Sequence, residues 1–195
     1  WDVSDIQKFG DGSWNSTIVL DDNWTNFYSG IRTANVFLKE AEGLTFPEIQ
    51  YNTDYPQSMV QFAVYPYEAR FLRAFFYFEL IKRYGSVPLI TTVLTQDEAN
   101  KVSKSSFNDI VAFIVAECDA AIPFLPTTYA TPTFNSGETG RATKATAMAL
   151  KARTLLYAAS PLNNPSNDQS KWIAAAKASK DIIDQFAATY TPLPA

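Results

Sequence analysis

Residues 67–90 constrain the fold more than any other part of the chain. They read YEARFLRAFFYFELIKRYGSVPLI and predict one long helix with apolar side chains on nearly every side. We expect the helix to end at Gly85, followed by an extended exit through Val87 and Pro88. Because a helix that is apolar on most faces must be covered by other elements, this segment predicts the centre of a helical core.

Two arginines lie on the apolar side of this predicted helix. Arg70 and Arg73 share that side with Tyr77, Leu80 and Ile81 when residues are placed at 100° steps. A buried charge without a partner is very costly, so both guanidinium groups need acidic or carbonyl partners. We interpret Arg70 and Arg73 as members of structural buried ion pairs. An arginine that binds a ligand is the alternative.

Four further segments show apolar residues at helical spacing, and they cover residues 22–42, 106–124, 143–159 and 167–186. Ser106, followed by Asp109 three residues later, predicts an N-terminal cap. Asn35 lies on the apolar stripe of the first segment, where a buried asparagine that holds a neighbouring loop is favoured over a ligand contact. Cys118 lies on the apolar stripe of the third helix, which predicts a small buried side chain and not a nucleophile.

The fold class predicted from these segments is all-α, a helical bundle of antiparallel helix pairs with long loops. No stretch shows sustained strand alternation, although residues 87–92 are extended in character. The helices begin at intervals too irregular for a strict repeat. The intervening segments 1–21, 43–66, 91–105 and 127–141 are long for a compact domain, and loops of such length are usually functional.

Composition excludes several classes of function for these 195 residues. The net charge of -4 and the pI near 4.8 argue against a nucleic-acid partner. The chain has no histidine, so histidine-dependent catalysis and histidine-ligated zinc are excluded within it. A single cysteine forms neither an internal disulfide nor a thiolate metal site. We therefore predict no catalytic residues, no metal and no cofactor. A single calcium ion near Asp11, Asp21 or Asp22 stays open as an alternative.

Aromatic residues outside the predicted helices are the positive indication of a binding function. Trp14 and Asn15 lie close to Asp11, and Tyr55 and Tyr65 belong to the second long segment. Flat aromatic faces beside amide and carboxylate groups suit sugar rings, because the ring packs on C–H groups while hydroxyls take hydrogen bonds. These five residues are the predicted glycan-binding set. A loop tryptophan that covers the bundle surface is the alternative for Trp14.

Several motifs, in the same order, make the chain similar to the SusD/RagB family. The first helix carries Trp24, Tyr28, Ile31, Ala34, Asn35 and Leu38 at the family spacing, and the second begins with Glu68-Ala69-Arg70-Phe71-Leu72-Arg73-Ala74 and runs to Gly85-Ser86-Val87-Pro88. The later motifs are Phe124-Leu125-Pro126, Gly140-Arg141-Ala142-Thr143-Lys144, Ala149-Leu150-Lys151-Ala152-Arg153, Leu155-Leu156-Tyr157 and Trp172 with Ala175 and Ala176. The resemblance spans residues 22–186.

The resemblance implies a bundle of tetratricopeptide-like helix pairs within a larger nutrient-binding lipoprotein of the outer membrane. Members of this family begin with a signal peptide and a lipidated cysteine, face outward, and capture oligosaccharide for import through a TonB-dependent SusC-type transporter. We expect residues 1–195 to form one region, the N-terminal helical part of such a longer protein. The resemblance transfers scaffold motifs and no ligand residue.

Two other functional classes remain open from the sequence. A tetratricopeptide-like scaffold that binds only protein would share the helices but would have no glycan site of its own. An all-helical carbohydrate-active enzyme would also show aromatic loops and scattered carboxylates. We expect a protein that binds glycan and is not an enzyme.

Overall fold

The computed structural model describes residues 10, 22–134, 138 and 140–189, and these are mainly helical. Apart from an isolated bridge between Thr131 and Phe134, the described part contains no β-structure, and the predicted all-α class is confirmed. The helices are α1 (Trp24–Glu40), α2 (Tyr55–Tyr84), α3 (Gln96–Ala99), α4 (Phe107–Ala121), α5 (Lys144–Ala159) and α6 (Gln169–Phe186), with a 3-10 turn at Pro47–Ile49.

The long helices form antiparallel neighbours in chain order. Helix α1 packs on α2, α2 on α4, α4 on α5 and α5 on α6. The start of α1 lies at the end of α2, where the Asn23 amide donates to the Tyr84 hydroxyl at 3.1 Å. The end of α4 lies beside the middle of α5, where Lys151 Nζ donates to the Asp119 carboxylate at 2.6 Å. This succession is the tetratricopeptide-like arrangement of helix pairs that the sequence predicts.

Helix α2 begins twelve residues before the predicted start, at Tyr55, and runs for 30 residues with Pro66 inside it. The interpretation of residues 55–66 as loop is therefore wrong. Pro66 lacks the backbone N–H that would pair with the carbonyl four residues earlier, which favours a helix boundary when sequence is read locally. Here the helix continues because its first half packs against the end of α1, and because Pro56 suits the first turn of a helix.

Close approach of α1 and α2 requires glycine at one position. A Cβ added to Gly30 would lie 2.5 Å from the ring of Phe76, closer than van der Waals contact allows. Next to this contact, Ile31 and Ala34 are buried against α2. A glycine in mid-helix is unfavourable by about 1 kcal/mol relative to alanine, and the packing between the two helices offsets this cost.

Helix α4 closes the core from the other side of α2. Its stripe of Ile110, Ile114 and Cys118 is fully buried together with Tyr77 and Leu80 of α2. Burial raises the pKa of the Cys118 thiol to about 12, so the group stays protonated and behaves as a small apolar side chain. The predicted cap is also present, because the Ser106 hydroxyl accepts a hydrogen bond from the Asp109 amide.

Arg70 and Arg73 share one carboxylate, that of Glu117 on α4. Arg73 donates to Glu117 Oε2 from Nη2 at 2.6 Å and from Nε at 2.9 Å, and Arg70 Nη1 donates to Oε1 at 2.8 Å. The side chains of Arg73 and Glu117 are 8% and 6% exposed, whereas that of Arg70 is 39% exposed. The expectation that Arg70 is buried needs correction: it reaches Glu117 from the rim of the helix contact, where water solvates its remaining donors.

The extended segment that follows α2 is held by side chains and not by a neighbouring strand. Asn35 Nδ2 donates to the carbonyls of Ile90 and Thr92, both at 3.1 Å. The Tyr77 hydroxyl accepts from the Ile90 amide at 2.6 Å and lies 2.9 Å from its carbonyl. Arg73 Nη1 in turn donates to Asn35 Oδ1 at 2.7 Å, so the ion pair orients the amide that holds this segment.

Replacing Arg73 with alanine should lower the free energy of unfolding by roughly 3–5 kcal/mol, because it leaves Glu117 with a buried charge facing only Arg70. Urea denaturation monitored by circular dichroism measures this loss. Lys180→Ala is the matched control, since its partner Asp184 and Lys180 itself are both exposed, and it should change stability by less than about 1 kcal/mol. A loss for Arg73→Ala as small as that of the control would contradict the structural role of the pair.

Candidate functional site

The first half of α2 presents two adjacent surfaces. Gln57, Gln61, Tyr65 and Glu68 repeat at intervals of four and three residues, so they share one face of the helix. This face lies against residues 129–134 and Arg141. A neighbouring face, which includes Phe62, lies against the end of α1. Tyr65 is at the border of the two. This half-helix therefore positions both surfaces described below.

On the first surface, two glutamines fix a turn. Gln57 Nε2 donates to the carbonyls of Pro132 and Thr133, both at 3.1 Å, and Gln61 Nε2 donates to the Thr133 carbonyl at 3.0 Å. Gln57 and Gln61 lie one helical turn apart and both donate to the Thr133 carbonyl. They therefore fix the position of the turn at residues 131–134 along the axis of α2.

A charged cluster lies further along the same face. The Glu68 carboxylate accepts from Arg141 Nε at 2.9 Å and also from Arg141 Nη2 and the Tyr129 hydroxyl. Glu138 adds a second carboxylate 3.3 Å from Arg141 Nη1. The Arg141 guanidinium lies 4.7 Å from the ring centre of Tyr65 and 5.3 Å from that of Tyr129. We call these five residues the Glu68–Arg141 cluster, and it fastens both ends of the segment 129–141 to α2.

The surroundings of Arg141 and Tyr129 favour the protonated form of both groups. Hydrogen bonding to Glu68 raises the pKa of Arg141 further above its usual range. Burial, reinforced by the Glu68 carboxylate, raises the pKa of the Tyr129 hydroxyl. Near neutral pH Arg141 therefore stays positively charged and the Tyr129 hydroxyl keeps its proton, so both remain donors to Glu68.

The second surface is a largely apolar groove of about 370 Å³ between the end of α1, the 3-10 turn and the first half of α2. Three aromatic rings form a row along it. The ring centres of Phe46 and Phe62 are 4.7 Å apart, and those of Phe62 and Tyr65 are 5.7 Å apart. Among the residues that the structure describes, no charged side chain lines this α1–α2 groove.

The structure does not bring the predicted glycan residues together in its described part. Tyr55 is the first residue of α2, and Tyr65 follows ten residues later, about 15 Å further along the helix axis. Both belong to a helix and not to a loop, which corrects the sequence interpretation. Arg141 covers one face of the Tyr65 ring, so at most the other face is available to a ligand.

Three predicted site residues, Asp11, Trp14 and Asn15, lie outside the described residues. Sequence reading also missed two parts of the site. Phe46 and Phe62 of the groove were not predicted as site residues, because the segment that contains them, residues 43–66, was interpreted as a loop. The pairing of Glu68 with Arg141 was not predicted either, because the two residues lie 73 positions apart and belong to different motifs.

No candidate metal centre emerges: residues 22–134 and 140–189 contain no group of three or more Cys, Asp or Glu side chains placed to hold an ion. Over the same part of the chain, none of the helices combines the length and the apolar character that crossing a bilayer requires.

Comparison with known proteins decides the family. Residues 4–156 match the model of a SusD-like family whose description is starch-binding, associating with the outer membrane. The chain belongs to the SusD-like family. The resemblance expected from the EARFLRA motif of α2 is thus confirmed. No curated protein sequence matches the chain.

Solved structures of SusD-like proteins share its fold. A SusD-like carbohydrate-binding protein from Bacteroides fragilis is 32% identical, with a TM-score of 0.68 over 88% of this chain. A laminarin-binding SusD-like protein is 27% identical, with a TM-score of 0.70 over 93% of this chain. A surface glycan-binding protein from Bacteroides uniformis is 27% identical, with a TM-score of 0.66 over 94%. These names describe binding proteins and not enzymes.

The chain spans only about a third of the length of these relatives. The matches cover 28%, 34% and 36% of the three structures, in the same order. The comparison therefore concerns the helical part of proteins that are much longer.

Replacing Glu68 with glutamine should loosen the attachment of Tyr129 and Arg141 to α2. The change keeps the shape of the side chain, but Arg141 loses one of its two carboxylate partners and Tyr129 loses its charged acceptor. We expect amides of residues 129–134 to exchange hydrogen about tenfold faster, with a loss of about 1–2 kcal/mol in the free energy of unfolding. Hydrogen exchange followed by mass spectrometry measures the first effect. The exposed Glu48→Gln is the control, and equal exchange in both variants would reject the anchoring role.

Proposed function

We propose that the chain is the helical part of an outer-membrane protein that captures oligosaccharide for import through a TonB-dependent SusC-type transporter. The observation that carries the proposal is the family match over residues 4–156, described as starch-binding and associating with the outer membrane. The names of the laminarin-binding and glycan-binding structures support the same class of ligand. The longer protein would be anchored by lipid and face outward.

Two aromatic surfaces would contact the sugar in this proposal. The first is Trp14 with Asn15 and Asp11, where an indole face lies close in sequence to amide and carboxylate acceptors. The second is the face of Tyr65 that Arg141 does not cover, together with the neighbouring rings of the α1–α2 groove. Sugar rings stack on aromatic faces through axial C–H groups, while polar groups take the hydroxyls.

Rigidity of the helical frame supports this role. The glutamine contacts and the Glu68–Arg141 cluster hold the segment beside Tyr65 before any ligand arrives. A ligand that meets a preformed surface loses less binding free energy to the ordering of protein side chains. Modest affinity is expected, because stacking contacts and solvent-exposed hydrogen bonds set it.

Replacing Trp14 with alanine should weaken binding of maltoheptaose and of laminarin oligosaccharides by about tenfold, because it removes a stacking face. The melting temperature should stay nearly unchanged. Isothermal titration calorimetry and a thermal scan measure the two quantities. Tyr51→Ala is the control, since this tyrosine is 90% exposed and lies outside both surfaces. Equal affinity of the Trp14 variant and the parent chain would reject Trp14 as a binding residue.

A protein-binding scaffold without its own glycan site is the second candidate. The observation that favours it is the apolar character of the α1–α2 groove, together with exposed Phe37 and Leu44 at its rim. Such a scaffold would bind no sugar on a glycan array and would still co-purify with a transporter barrel. Binding of any oligosaccharide by the isolated chain would exclude this alternative.

A further inference from the structure

A second cavity, of about 420 Å³, lies at the end of the bundle where α2 and α5 end and α4 and α6 begin. We call it the end cavity. Its volume falls in the lower part of the range of small-molecule sites, about 300–1,000 Å³. It is separate from the α1–α2 groove, because Lys82 of its wall lies about 26 Å further along the axis of α2 than Tyr65 of the groove.

Three aromatic rings from three different helices line the end cavity: Phe107, Tyr157 and Trp172. Two of these rings are held by contacts of their own. The Trp172 indole donates from Nε1 to Asn167 Oδ1 at 3.2 Å. The Tyr157 ring packs edge-on against Phe78, with 5.2 Å between ring centres. Because these contacts restrain the rings before a ligand arrives, binding in the cavity loses little free energy to the ordering of side chains.

Neutral polar groups also line the cavity, where α5 ends. Ser160 Oγ and Asn163 Nδ2 both donate to the Tyr157 carbonyl, at 2.7 Å and 3.0 Å, and Asn163 Nδ2 donates to Ser160 Oγ at 3.4 Å. The donors of both side chains are thereby used. Among the described residues none donates to Asn163 Oδ1, so this oxygen is available to a ligand hydroxyl.

The two cations among the described lining residues are engaged by other groups. Lys82 and Arg83 both pair with the Glu79 carboxylate. The Arg83 guanidinium also lies over the Phe27 ring of α1, 5.3 Å from the ring centre. Because both charges already have partners, the rings and the neutral polar groups decide which ligand fits. They match an uncharged ring with C–H groups on its faces and hydroxyl donors at its edge, as in a pyranose.

We propose that the end cavity is a second sugar site, which holds one neutral pyranose unit of the bound glycan. The pyranose packs on the Trp172 indole, and one of its hydroxyls donates to Asn163 Oδ1. A purely apolar ligand would leave that acceptor without a partner and would therefore bind more weakly. The inference deepens the proposed function, since it rests on glycan as the class of ligand.

Nuclear magnetic resonance titration of the full chain tests the proposal, with the Trp172 indole and the backbone amides of residues 162–164 as reporters. Methyl α-D-glucopyranoside and methyl β-D-glucopyranoside are the sugar probes, and cyclohexanol is an apolar ring of similar size. At least one glucoside should shift the reporters saturably, and cyclohexanol should bind at least about fivefold more weakly.

Two variants test the two parts of the site. Trp172→Ala should weaken glucoside binding about tenfold, because it removes the stacking face, whereas Trp172→Phe keeps a ring and should retain most of the affinity. Asn163→Ala should bring the affinities for glucoside and cyclohexanol within about twofold of each other, because the acceptor is lost. Both affinities are measured in the same variant, so a general loss of stability does not account for a change in their ratio.

Ile173→Ala is the matched control, because Ile173 is adjacent to Trp172 in sequence, is 67% exposed and does not line the cavity. It should bind the probes as the parent chain does. Reporters that show no saturable shift with either glucoside, cyclohexanol binding as tight as that of the glucoside, or unchanged affinity in Trp172→Ala would each overturn the proposal.

Maltoheptaose titrated into the same sample separates this inference from the proposed function. A response elsewhere in the chain that leaves Trp172 and residues 162–164 unshifted would support the proposed function and overturn the second site. A response that Trp172→Ala weakens would support both. Glucoside binding at Trp172 without any response to maltoheptaose would contradict starch capture by this chain and support the end cavity.

Discussion

The buried pairing of Arg73 with Glu117 is the contact on which the rest of the structure depends. It joins α2 to α4 at a point where both side chains are nearly inaccessible to water, and through Asn35 it joins α1 as well. An ion pair in the core offers less net stability than its short distances suggest, because both charges lose hydration. Its main contribution here is to position other elements. The Arg73 guanidinium fixes α1, α2 and α4 relative to one another, and with Asn35 it holds residues 90–92.

Helix α2 then connects two distant regions of the molecule. Its 30 residues span about 45 Å, with the apolar groove and the Glu68–Arg141 cluster at its first half and the end cavity, lined by Phe107, Tyr157 and Trp172, at its last turn. One rigid element thus fixes the position of both regions.

Several features of the fold could be predicted because they depend on local pattern. The apolar run around Arg73 predicted a central helix with buried ion pairs, and the spacing of Ile110, Ile114 and Cys118 predicted the buried stripe of α4. The cap at Ser106 follows from a side chain that lies three residues from its partner. Each of these inferences needs information only from neighbours in sequence. Arg70 departs from this group, since its 39% exposure depends on how neighbouring helices cover it and not on its position in the pattern.

The sequence by itself determined the helical class, the family and the need to neutralise two guanidinium groups, because periodicity and the EARFLRA motif are contained within single segments. Only the tertiary structure decided that residues 55–66 are helical across Pro66, since packing against α1 outweighs one lost backbone hydrogen bond. It also decided that Arg141 covers one face of Tyr65 and that Phe107, Tyr157 and Trp172, from three helices, meet at the end of the bundle. These arrangements join residues tens of positions apart, and the local sequence pattern carries no information about such distances.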